Sequence, residues 1–181
     1  MNRISHVQAK RTAIAERQRM RCSRDGRRRG SAVLEILLAL PALLIATLAV
    51  FQFGFLLLLH EAVTTAAIEG AREAQQGASC AEVAQTVQKL LAVHNLSVSS
   101  DGEVRVVCER RVAGTTRVRR RGNTSIECTP AGPPLQFNGE RRVTVCVRVS
   151  DGTAPVPDWL STFGFSMMGK TLRVSSLGLA E

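Results

Sequence analysis

Residues Ile36–Leu59 read ILLALPALLIATLAVFQFGFLLLL, 24 positions without a charge, among which only Thr47 and Gln52 are polar. At about 1.5 Å of rise per residue, such a helix is roughly 36 Å long, enough to cross a hydrocarbon core of about 30 Å with some tilt. A cleavable secretion signal has a shorter apolar core of about 7–15 residues, followed by a small-residue cleavage site. Here His60, Glu61 and Ala62 follow, and then more helix-forming sequence. The run reads as a retained transmembrane anchor.

Its N-terminal flank is strongly basic. Residues 1–30 hold ten of the 24 Lys/Arg of the chain and only two of its 15 acids, Glu16 and Asp25, so most of the formal charge of +9 lies there. A nucleic-acid-binding domain distributes its cations over a folded face. This chain concentrates them in one short leader, and no nucleic-acid partner is expected. The 20 residues after the span contain only Arg72. By the positive-inside rule, residues 1–30 are expected in the cytoplasm and everything after about residue 60 on the exported side.

Beyond the membrane, HEAVTTAAIEGAREAQQ keeps helical character, and Ala62, Ala66, Gly70 and Ala74 recur every fourth residue. A stripe of small side chains lets another backbone approach closely; alanine is also simply the best helix former. Gly77 and Ala78 end this helix. Ser79-Cys80-Ala81-Glu82 has the form of a capping box, and Val83, Val87, Leu90, Leu91 and His94 follow at helical spacing, which predicts a second, amphipathic helix to about His94. The period then changes. Leu96–Ser100, the turn pair Asp101-Gly102 and Glu103–Val112 read as a hairpin. Ser125–Cys128 is a candidate short strand, and Val143, Val145, Val147 and Val149 alternate with Thr144, Cys146 and Arg148 as a strand does. Thr171–Ser175 is a candidate last strand. Pro130, Pro133 and Pro134 mark a loop over 129–140, and Pro155 and Pro157 mark another over 151–158. The basic cluster Arg117, Arg119, Arg120, Arg121 reads as a solvated hairpin tip or as a contact for lipid head groups or an acidic partner.

Cysteine usage agrees with export. Cys22 lies in the leader, whereas Cys80, Cys108, Cys128 and Cys146 follow the span at spacings of 28, 20 and 18. No CxxC pair occurs, and neither His60 nor His94 stands at zinc-ligand spacing from a cysteine, so no metal is expected. Four separated cysteines in an oxidising compartment imply two disulfides, with three pairings open. No GxSxG, HExxH or phosphate loop is present, and the expectation is a protein without catalytic residues or cofactor.

The expected organisation is therefore α+β. Residues 1–30 form a leader. Residues 31–76 form a long transmembrane helix with its core at 36–59 and an exported extension. Residues 77–181 form a disulfide-containing domain with a second amphipathic helix and a small antiparallel sheet.

The leader joins the span through Arg27-Arg28-Arg29-Gly30-Ser31-Ala32-Val33-Leu34-Glu35. A carboxylate at the edge of a span costs free energy unless it is paired or set at a helix N-terminus. Glycine after a basic leader, with glutamate five residues on and an apolar helix behind, resembles the processing site of type IV pilin-like precursors. That resemblance implies cleavage between Gly30 and Ser31 by a prepilin peptidase, leaving Glu35 fifth. A new amine at Ser31 and the carboxylate of a neighbour's Glu35 are then opposite charges in low dielectric, and pairing them sets the stagger between helices.

The wider pattern resembles the TadE-like family, pseudopilin-like components of the tight-adherence (Flp) pilus assembly system. It is carried by Gly30, Leu34-Glu35, Pro41, Phe53-Gly54 and AIEGAR at Ala67–Arg72. Gln52 stands where the family commonly has an acid, and Ile36 where its processed relatives favour tyrosine. The resemblance implies a minor pilin-like or assembly protein of the bacterial inner membrane, working by helix packing. Its implied partners are other pilin-like subunits, the inner-membrane platform and the prepilin peptidase. Without the match over 27–74, a signal-anchored, disulfide-stapled binding domain unrelated to pili would be the preferred reading.

Overall fold

A computed structural model of the protein describes the backbone of residues 4–149 and 158–179, and the side chains of residues 33–149 and 158–179. The chain divides into two units, Met1–Thr47 and Leu48–Glu181. The long helix α1, Ile4–Gln75, contributes residues to both. It starts inside the basic leader, where arginine, a good helix former, is the commonest residue. Between Val33 and Gln75 it is long and apolar enough to cross a membrane. Pro41 sits inside it; having no N–H, it leaves the Leu37 carbonyl without its intrahelical partner.

In the second unit the architecture is α+β, as expected. α2 covers Cys80–Leu91, followed by a 3-10 turn at Ala92–His94. Its entry is the anticipated capping box. The Glu82 backbone N–H donates to the Ser79 hydroxyl at 3.4 Å, and the Ser79 backbone N–H donates to the Glu82 carboxylate at 2.6 Å. Four antiparallel strands follow: β1 Val104–Val112, β2 Thr115–Gly122, β3 Glu140–Arg148 and β4 Thr171–Leu179, in the order β2-β1-β3-β4.

The hairpin differs from expectation. Leu96–Ser100 forms no strand; the tight turn is Ala113-Gly114, with φ of 49° and 80°, joining β1 to β2. A type I′ two-residue hairpin turn needs positive φ at both central residues, and here Ala113 adopts it despite its Cβ. Gly102 serves a different purpose, since a Cβ there would lie 2.1 Å from the Ser97 carbonyl oxygen. Ser125–Cys128 is loop, not strand, and β4 runs four residues past the expected Ser175. The loop expected over 151–158 lies, apart from Asp158, outside the described residues.

The sheet has two covered faces. Val104, Val106, Val143, Val145 and Val147 pack under α2 and the 59–74 part of α1, meeting Leu59, Val63, Ala66, Val83 and Val87 in one core. On the other face Val107 and Cys146 lie beneath Ile126 and Cys128 of the β2–β3 connection. That connection is pinned by buried polar groups. The Arg142 guanidinium donates to the carbonyls of Ala131 and Pro133, and the Glu140 carboxylate accepts from the backbone N–H groups of Gln136 and Phe137. Double coverage explains why Thr144 and Cys146 are as buried as the valines between them.

Candidate functional site

At the leader–span junction, the backbone of Gly30 and Ser31 is helical, while their side chains lie outside the described residues. Cys22 also falls there. Glu35 is exposed on α1, and among the described residues no cation lies within 4.0 Å of it. Its neighbours Leu34, Ile36, Leu37 and Leu38 are each more than 60 % exposed. An acid set on an apolar helix can be neutralised by a cation brought by another chain or by an interfacial position. Pro41 is likewise exposed.

The small-residue stripe has a partner inside the chain. Ala66 and Ala74 are buried, Gly70 is buried and Ala62 is half-buried. A Cβ at Gly70 would meet Val87 at 3.1 Å, Val83 at 3.3 Å and Val143 at 3.4 Å. This face of α1 therefore lies against its own α2 and β3, so it is occupied and unavailable to a helix of another chain.

Further toward the N-terminus, within the same unit, Gln52 is almost fully buried in the middle of an apolar sequence. Its side-chain carbonyl accepts the Leu160 backbone N–H at 3.0 Å, and its amide donates to Asp158 at 3.4 Å. Asp158 also accepts the Ser166 hydroxyl at 2.7 Å, which closes the 158–166 loop on itself. Trp159 of this loop stacks edge-on against Phe51 and Phe55, with ring centroids 6.5 and 6.3 Å apart. Sequence reading noted Gln52 as a departure but missed its partner, more than 100 residues away. The signal was present: a buried amide requires hydrogen bonds.

Both disulfides lie in the second unit. Cys80–Cys108 ties the first residue of α2 to β1, and Cys128–Cys146 ties the β2–β3 connection to β3. Beside the first bridge, a cavity of about 410 Å³ is lined by Ser79, Cys80, Arg110, Arg117, Arg119 and Arg141. Arg110 is the direct cross-strand partner of both Arg117 and Arg141, so three guanidiniums stand in one row on one face. Among the described residues none of them has a carboxylate within 4.0 Å. Burial, and secondarily the Arg110 charge, lower the Arg141 pKa from its ordinary value. The basic cluster seen in sequence is thus a strand, not a hairpin tip, and it extends onto β1 and β3.

Against known proteins, residues 30–72 match the model of the TadE-like protein family. No curated protein and no solved structure matches the chain.

Proposed function

We propose that this chain, TadE-like over residues 30–72, is a minor pilin-like or assembly protein of a tight-adherence (Flp-type) pilus system. It sits in the inner membrane with residues 1–30 in the cytoplasm and the disulfide-bonded unit exported. The observation that carries the reading is that the family match begins at Gly30, at the leader–span junction, and takes in Glu35, an exposed acid on an apolar helix with no cation within 4.0 Å among the described residues. Charge asymmetry supports the orientation, and two disulfides support an oxidising compartment.

In this mechanism the chain contributes no chemistry. The helix supplies a shaped apolar rod, and Glu35 supplies one charge that pays only when matched. A prepilin peptidase cuts between Gly30 and Ser31. The Ser31 amine of one subunit then faces Glu35 of the next, and the penalty for an unmatched charge selects the stagger. Partners are other pilin-like subunits and the inner-membrane platform.

Glu35→Gln tests the reading. The variant inserts normally, since removing a charge lowers the cost of burial, and cleavage at Gly30 persists. Recovery of pilus components in pull-downs, and surface fibres, should fall sharply at matched membrane levels. Equal assembly at equal abundance would reduce Glu35 to a helix-end anion worth about 0.3–1 kcal/mol.

A further inference from the structure

The loop clasped by Gln52 meets α1 over residues that are apolar on their other faces as well. Phe53, Leu57 and Leu58 are 58 %, 65 % and 62 % exposed, and the next charged side chain toward the C-terminus is Glu61. Large apolar residues exposed together mark a surface that belongs against another apolar phase. The loop carries its own: Trp159, Phe163 and Phe165 are 43 %, 49 % and 71 % exposed. Phe51 and Phe55 link the two groups through Trp159.

Length along α1 sets the depth. Counted from Ile36, where the uncharged run begins, the 20 residues to Phe55 rise by roughly 30 Å, about the thickness of a hydrocarbon core. Residues 52–59 therefore fall where the acyl region gives way to head groups. Tryptophan is enriched at that level because its ring is apolar while its indole N–H is polar.

We propose that the 158–166 loop is a lipid-binding surface, inserted beside α1 into the interfacial layer of the exported leaflet. The partner is the phospholipid bilayer, engaged by Trp159, Phe163 and Phe165 at the boundary between acyl chains and head groups. Gln52 makes this arrangement possible. It satisfies the loop's Leu160 N–H from inside the helix, so the loop presents rings outward with one fewer bare backbone donor. The exported unit is thereby fixed in depth at its membrane-proximal end. The inference rests on the reading of α1 as a transmembrane helix.

Trp159 is the only tryptophan and the chain has no tyrosine, so its emission reports the loop alone. The full chain is reconstituted in phosphatidylethanolamine/phosphatidylglycerol vesicles carrying bromines either high or deep on the acyl chains. Quenching of Trp159 by shallow bromines should exceed that by deep bromines severalfold, with protection from aqueous iodide. Phe163→Ser combined with Phe165→Ser, in protein of unchanged melting temperature, should lower shallow quenching at least twofold. A second reporter, Leu44→Trp in a Trp159→Phe background, reads the span itself and should be quenched best by deep bromines. Trp159 open to iodide and blind to both bromines overturns the inference, while Leu44→Trp still quenched leaves the spanning helix intact. Loss of lipid quenching at both positions overturns the two together.

Discussion

Two stretches of the one helix α1 have opposite surroundings. Leu37, Leu38, Leu40 and Leu43 point in four directions around the helix, and each is 60–69 % exposed. From Gln52 to Ala74, by contrast, one face is buried at steps of three and four, through Leu59, Val63, Ala66, Ala67, Ala71 and Ala74. The opposite face, with Glu61, Thr65 and Arg72, stays exposed. Side-chain size separates the two. Leucines all round suit a fluid phase that conforms to any shape. Alanine and glycine on one face suit a fixed partner that must come close. The periodicity of small residues marks which face of the second stretch packs against the protein.

The largest effect should come from removing what holds the partner in place. Cys80→Ala with Cys108→Ala opens a bridge of sequence separation 28 at the first residue of α2. By loop-closure entropy this costs roughly 3–4 kcal/mol of unfolding free energy. Denaturant unfolding of the full chain in detergent measures it, and the helical circular dichroism of the first stretch should persist. Melting of the whole helix in step with the second unit would erase the distinction between the stretches.

A smaller effect sharpens the size argument. Gly70→Leu forces a side chain into contacts that already crowd a Cβ, and overpacking of this kind costs about 1–3 kcal/mol. Ala46→Leu, at an exposed position of the first stretch, should leave the unfolding transition where it was. Gly54 gives an internal control, since a Cβ there meets nothing within 4 Å. Equal destabilisation by Gly70→Leu and Ala46→Leu would refute the idea that only the second stretch has a fixed partner.

The smallest effect is at the entry of the helix that covers α1. The Ser79 backbone N–H, and then its side chain, hold the Glu82 carboxyl below its ordinary value. A carboxyl depressed on folding adds stability above its unfolded pKa and loses it as pH falls through the folded value. Glu82→Ala should therefore be less stable than the parent at pH 7, and the gap should close on acidification below the usual carboxylate range. A gap independent of pH would assign the cap to hydrogen-bond geometry alone.

How far the sequence was readable follows the range of each interaction. The capping box, the apolar run and the β3 alternation are local signals, and each marks its element within a few residues. The hairpin was placed one turn too early because Asp-Gly is a stronger turn signal than Ala-Gly, and nothing nearby shows that Ala113 accepts positive φ. β2 hid for a different reason. It is an edge strand crowded with arginines, without the alternation that marks a half-buried strand. Beyond local range the reading failed: neither the disulfide pairing nor the Gln52–Leu160 contact leaves a trace in spacing. At the junction, Gly30 and Glu35 were singled out from sequence alone, and the family match covers both.

The charged edge has a consequence for how copies of this chain can associate. An edge strand offers a row of free N–H and C=O groups to any extended segment that drifts alongside. On β2 that row is guarded by Arg117, Arg119, Arg120 and Arg121, all exposed, and a second copy arriving edge to edge brings four more guanidiniums against them. Pairing of one β2 edge with another is opposed by like charge. The edge strand is thereby protected against the cross-strand pairing that leads to aggregation.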